Sequence, residues 1–162
     1  MSSERMYWGS EGAGAVLYST VEKKFLFGLR SDQVMEPGTL GVFGGRIEEG
    51  DSVRETIENE IMEETGYFYP PSRVIPLKVY EDGDFRYHNH IAIVDQEFIP
   101  MENWEHDRLL WMSLGEVMAL DPSERHFGLN ELLSDPESLK RLQMVESHKE
   151  AKLEAGSEHE PL

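Results

Sequence analysis

Three carboxylates, Glu60, Glu63 and Glu64, crowd the segment Glu60-Ile61-Met62-Glu63-Glu64-Thr65-Gly66-Tyr67. On a helix, positions three and four apart share a face, so these side chains project together. Val53, Ile57 and Ile61 fall on the same stripe as Glu60 and Glu64. That stripe is the one a surface helix turns toward its core. An ionised carboxylate there is costly unless it is paired or binds metal. Converging carboxylates repel one another without a cation, and a hard divalent ion such as Mg²⁺ takes oxygen ligands of this kind. A solvated acidic face is the ordinary alternative reading of the wheel.

The loop before the helix weighs against that alternative. It reads Gly44-Gly45-Arg46-Ile47-Glu48-Glu49-Gly50-Asp51. Glycines there permit close approach of backbone to ligand. A glycine-rich loop opening into a helix N-terminus suits an anion or a metal-bound phosphate. Ser52 with Glu55 forms a capping box, and Gly66 stands where the helix must stop, which predicts a helix over 52–65.

Other residues could serve the same chemistry. Arg30 ends a strand and Arg46 lies in the glycine loop; either could touch phosphate, although Arg46 also suits plain solvent exposure. Phe85, Tyr87, Trp104 and Phe127 could stack on a base, or simply fill the core. His88 and His90 share a strand face opposite Tyr87 and Asn89. With no third soft ligand they read as ordinary strand residues. His106 reads as a surface residue.

These groups need elements to position them. Ala13–Ser19 and Lys24–Arg30 predict a hairpin, and Leu40–Phe43 a short strand running into Gly44-Gly45. Val74–Tyr80 and Phe85–Phe98 predict strands around Asp82-Gly83-Asp84, and Leu109–Met112 a short one. Ser113 with Glu116 opens a second capped helix to about Leu120. Further helices are expected over Leu129–Leu133 and Pro136–His148, the last capped by Asp135. The fold class is therefore α/β, a mixed sheet flanked by helices. The 162 residues suit one domain over 1–145, with an acidic, disordered tail expected over 146–162.

The net charge of −17 argues against a nucleic-acid surface, which needs a basic footprint. No apolar run reaches membrane-spanning length, and no signal-peptide pattern opens the chain. The absence of cysteine excludes disulfides and thiol chemistry and fits the cytoplasm. An acidic protein that handles phosphate must neutralise it locally, through bound divalent cations and a few Arg residues.

Loop and helix together resemble the Nudix signature, with Gly45 at its start and Glu60-Ile61-Met62-Glu63-Glu64-Thr65-Gly66-Tyr67 at its end. Asp51 stands where that signature has Glu, and Asn59 where it has Arg. Asp51 equally suits a place at the helix cap. The resemblance implies a Nudix-like α/β/α sandwich and hydrolysis of a nucleoside diphosphate linked to another moiety. Candidate substrates are nucleoside triphosphates, nucleotide sugars, ADP-ribose and dinucleoside polyphosphates. It implies Mg²⁺, with Mn²⁺ as a substitute, held by Glu60, Glu63, Glu64 and the backbone at Gly44-Gly45. Glu63, Glu64 or Glu105 would be the catalytic base, Glu105 lying in an Asn103-Trp104-Glu105 segment like one the family often shows; a solvated loop carboxylate is its alternative reading. Arg30, Phe43 and Arg46 would contact substrate, and a homodimer is a common family state. A non-catalytic nucleotide-binding module is the alternative that Asp51 and Asn59 motivate. An isoprenyl-diphosphate isomerase is set aside because that branch uses a cysteine.

Overall fold

The structure, a computed structural model, describes residues 11–147. Among the described residues, seven strands form one mixed sheet: β1 (Glu11–Ser19), β2 (Lys24–Arg30), β3 (Leu40–Gly41), β4 (Phe43–Arg46), β5 (Arg73–Asp82), β6 (Phe85–Val94) and β7 (His106–Met112). The helices are α1 (Val53–Thr65), α2 (Leu114–Met118), α3 (Phe127–Ser134) and α4 (Pro136–Glu146), with a 3-10 turn at Pro122–Glu124.

The sheet has a fork that makes the site. β1 pairs with β2 only over Leu17–Ser19, next to the hairpin turn. Beyond that the two strands splay, and the segment from Leu40 to Arg46 fills the gap. β3 pairs with Gly28 and Leu29 of β2, and β4 pairs with Gly12–Ala15 of β1. The other edge of β1 pairs in parallel with β6, and β6 in turn with β5. β7 closes the free edge of β2.

Alternation along the strands divides the core in two. Ala13, Ala15, Leu17, Leu26 and Phe43 pack against Ile57, Ile61 and Tyr67, which clamps α1 to one face. Val16, Tyr18, Phe25, Phe27, Ile91 and Ile93 pack against Leu114, Val117, Leu129, Leu142 and Val145, from the three helices on the other. The expected sandwich with a mixed sheet is therefore what forms.

Boundaries differ in informative places. The short strand expected at Leu40–Phe43 is two strands, broken at Val42 where the chain changes partner from β2 to β1. β6 ends at Val94, not Phe98: Val94 O accepts from Thr20 N–H at 3.0 Å, and Phe98 turns back onto Tyr67 and Trp111, ring centroids 4.9 and 5.8 Å away. β7 starts at His106, earlier than expected, because β2 stays paired with it as far as Arg30 through a bulge. Among the described residues no helix is long and apolar enough to cross a membrane. The disorder expected of the tail concerns mainly 148–162, outside the described residues. Glu146, placed in that tail, instead ends α4, and its Oε2 accepts from Leu114 N–H at 2.7 Å.

Candidate active site

Helix α1 is fixed at both ends before its carboxylates are considered. Ser52 Oγ accepts from Glu55 N–H at 3.0 Å, and Glu55 Oε1 accepts from Ser52 N–H at 2.8 Å, completing the expected capping box. Hydrogen bonds from the Ser52 N–H and hydroxyl hold the Glu55 carboxyl below the usual range. Gly66, at φ 83°, donates its N–H to Met62 O at 3.0 Å and ends the helix left-handed, a conformation that favours glycine. Ile57 and Ile61 are sunk in the core, and this sets the rotation of the helix. Asp51 lies just outside the cap, its N–H donating to Glu48 O at 3.0 Å.

With that rotation the carboxylates meet β4. Glu64 is 2% exposed, and its Oε2 accepts from Gly44 N–H at 3.1 Å. The Glu60 carboxyl lies over Gly45: a Cβ at that position would stand 2.8 Å from Glu60 Cδ. Glu60 is also within hydrogen-bonding range of the Glu63 and Glu64 carboxyls. Glu63 is exposed on the same wall.

The electrostatics follow from this crowding. Burial, with Glu63 and Glu105 nearby, pushes Glu60 up from 4.5 to about 8. Burial pushes Glu64 well above its ordinary value, with Glu105 and Glu60 adding to the rise and the Gly44 N–H opposing it. Burial also raises Glu105, against the pull of Asn103 and Arg30. Carboxyls that resist ionisation side by side are what a divalent cation would relieve. Among the described residues no three acidic or histidine side chains are already arranged as a closed metal cage. The donor set nevertheless fits a hard cation, because its side-chain ligands are oxygens and Gly45 leaves room for the Glu60 carboxyl.

Glu105 is held by its neighbours. Its N–H donates to Asn103 Oδ1 at 2.9 Å, and Asn103 Nδ2 donates to Glu63 O at 3.2 Å, which ties the loop to α1. Ser31 adds bonds to Glu105 O and Trp104 O at 2.9 and 2.7 Å. His106 is buried at 4% exposure, not a surface residue as expected. Its Nδ1 has no hydrogen-bond partner among the described residues and stands 3.9 Å from Glu64 Oε1. Burial, then Arg30, push His106 down to about 4, so it is neutral beside Glu64 and the two do not form an ion pair.

A cleft of about 1150 Å³ opens over these groups. Arg30, Gly44, Gly45, Arg46, Asp51, Asn59, Glu60, Glu63, Glu64 and Glu105 all line it. Arg46 is half exposed and pairs with Glu48 at 2.8 Å. Phe43 is corrected: at 1% exposure it belongs to the core under α1, its ring 5.4 Å from His106, and its side chain does not line the cleft. Strand alternation sends Phe43 to the face opposite Gly44. His88 and His90 form no metal pair, since His88 Nε2 meets Glu11 Oε2 at 2.8 Å and His90 Nδ1 meets His88 O at 3.1 Å. The four aromatic candidates, Phe85, Tyr87, Trp104 and Phe127, all reach the cleft. Tyr80 and Asn89 reach it too; the alternation that put Asn89 beside Tyr87 was the only sign of this in the sequence.

An α/β/α sandwich whose sheet forks around a glycine pair, with an acidic helix face laid against that pair, defines a Nudix-type domain. The NUDIX domain model matches residues 10–133, and the chain belongs to the Nudix hydrolase family, which acts on nucleoside diphosphates linked to another moiety. No curated protein matches the sequence. Among solved structures, the MutT protein from Methanosarcina mazei Go1 superposes with a TM-score of 0.64 at 16% identity, covering 84% of this chain and 94% of that one. An Ap4A hydrolase from C. elegans gives 0.61 at 16%, covering 80% and 98%. A MutT NUDIX hydrolase from Burkholderia pseudomallei gives 0.57 at 21%, covering 75% and 93%. At these identities the likeness is one of fold.

Proposed function

We propose that this chain is a Mg²⁺-dependent hydrolase that cleaves a phosphoanhydride bond in a nucleoside diphosphate linked to another moiety, with Mn²⁺ able to substitute. The observation that carries the reading is the meeting of α1 with β4: Glu64 accepts from Gly44 N–H, and Glu60 occupies the space a side chain at Gly45 would need. Glu60, Glu63, Glu64 and the backbone at Gly44-Gly45 would hold the cation. Bound there, it would neutralise the diphosphate and polarise the phosphorus toward water. Glu105, raised by burial and oriented by Asn103, is suited to take the proton of the attacking water, with Glu63 and Glu64 as the other candidates. Arg30 and Arg46 supply positive charge on the cleft wall for the phosphates.

Incubation with Mg²⁺ and nucleoside triphosphates, ADP-ribose, dinucleoside polyphosphates and nucleotide sugars, with products separated by chromatography, tests this. Turnover of at least one substrate, abolished by Glu64→Gln, is expected. No product from any of them, with Glu64→Gln behaving like the parent, would sink it. The exposed Asn59 at the cleft, where the Nudix signature has Arg, favours a second reading as a nucleotide-binding module. Calorimetric binding without turnover would select that one.

A further inference from the structure

One face of the β5–β6 ribbon carries a group of side chains outside the carboxylate cluster. Phe85, Tyr87 and Asn89 alternate along β6, with Tyr80 opposite Tyr87 and Asp82 opposite Phe85. All five line the cleft, as does Phe127 of α3.

Asn89 is 5% exposed. Its Nδ2 donates to Lys78 O at 3.0 Å, across from the bulge in β5. That bond fixes the orientation of the amide, since the flipped form would set two oxygens against each other. Oδ1 is claimed by no donor among the described residues. Oδ1 is not one of the solvent-shut polar atoms that lack a partner, so it opens onto the cleft, where a ligand donor can reach it.

The surroundings indicate what kind of ligand. The Tyr80 and Phe127 rings meet edge to face at 5.2 Å, and Tyr80 lies 6.5 Å from Phe85. Phe127 is 46% exposed, and its N–H donates to Glu36 Oε1 at 3.2 Å, which holds the start of α3 in place. The Lys and Arg side chains of the cleft wall are Arg30 and Arg46, both on strands beside the glycine segment. Nearer the ribbon the charged groups of the wall are Asp82, Glu36, which accepts from Phe127 N–H, and Glu131, which pairs with Lys78 at 3.2 Å. Aromatic surface among hydrogen-bond acceptors suits a flat, neutral, donor-bearing group rather than another phosphate.

Resting on the nucleotide reading above, we propose that Asn89, Tyr80, Phe85 and Phe127 form a nucleobase subsite selecting bases with an exocyclic amino group. Asn89 Oδ1 accepts from the amino group, and the rings pack against the base.

Calorimetry with mononucleotides tests this on the full chain without any need for turnover. The pairs are AMP against purine riboside 5′-monophosphate, and GMP against IMP, each differing by one amino group. In at least one pair the amino-bearing member binds about tenfold tighter, the effect of one good hydrogen bond. Asn89→Leu brings that pair to within about twofold. In case that variant does not fold, Phe127→Ala weakens AMP about tenfold, while ribose 5-phosphate binds as before. Equal binding within both pairs, no mononucleotide binding, a preference that survives Asn89→Leu, or ribose 5-phosphate weakened as much as AMP would each overturn the subsite. Amino preference without hydrolysis of any substrate sinks the hydrolase reading and keeps the subsite; hydrolysis without preference does the reverse.

Discussion

Replacing Gly45 with Ala tests the site at its narrowest contact. The backbone at Gly45 is not in the left-handed region, so the strand itself accepts an alanine. The new methyl would stand 2.8 Å from Glu60 Cδ and 3.5 Å from Cγ, with the carboxylate oxygen nearer still. Ordinary contact needs about 3.4–4 Å, so the carboxylate must move by about 1 Å, and as the end of a flexible side chain it can. A displacement of that size at a reacting centre costs about a hundredfold in kcat/KM, or about 2.7 kcal/mol of barrier. Stability should hold, because Gly→Ala at a tolerated backbone position gains about 0.4–1 kcal/mol through the unfolded chain. Gly44→Ala is the control: its Cβ would stand 2.6 Å from Ala13 O and 2.7 Å from Gly14 Cα, rigid backbone that cannot give way. That variant should lose several degrees of Tm. Initial rates on a substrate found in the panel, with Tm by circular dichroism, check both. Gly45→Ala within about threefold of parent activity, or melting as early as Gly44→Ala, would refute the assignment of Glu60.

Two further outcomes follow from the same geometry. Glu60 is raised in the folded chain from 4.5 to about 8, so its contribution to stability is present below pH 4.5 and lost as pH rises toward about 8. His106, pushed down from 6.5 to about 4, acts oppositely: its contribution is present above pH 6.5 and lost as pH falls toward about 4. In EDTA, Tm should therefore decline on both sides; Glu60→Gln should flatten the alkaline arm, and saturating Mg²⁺ should raise Tm most above neutrality. Asn103→Ala removes the bonds that orient Glu105 and tie its loop to Glu63, and should lower kcat about tenfold while Mg²⁺-induced shifts in Tm stay near the parent's. Unchanged kcat would remove Glu105 from the reaction.

The acidic helix was legible because its cues are local. Capping box, left-handed glycine and the clash of Glu60 and Glu64 with an apolar stripe all lie within fifteen residues. The sandwich was legible from alternating strands and capped helices. What could not be read depends on partners distant in sequence. Its place beside Gly44 makes Phe43 look like a substrate contact, and only its pairing with Ala15 shows that it faces the α1 side. His106 reads as a surface residue because nothing in its neighbours announces that β7 begins there, packed over Gly28, where a Cβ would run into its ring. Asn89 gained meaning only from Lys78 O across a bulge.

The short strand β4 ties these parts together by alternation alone. Phe43 and Gly45 face α1: the first anchors the helix through the core, and the second leaves room for Glu60. Gly44, between them, faces the cleft, while its N–H donates to Glu64. On that side Tyr87 lies across a lane cleared of side chains, since a Cβ at Gly12 would stand 2.9 Å from its ring and Cβ atoms at Gly14 or Gly44 would run into its hydroxyl. The ring therefore spans from β6, where Asn89 and Phe85 flank it, to the backbone that holds the carboxylates. A side chain at Gly45 disturbs only the carboxylate end. One at Gly44 displaces Tyr87 as well and disturbs both, so the proposed base preference and the metal response should fail together in that variant and separately elsewhere.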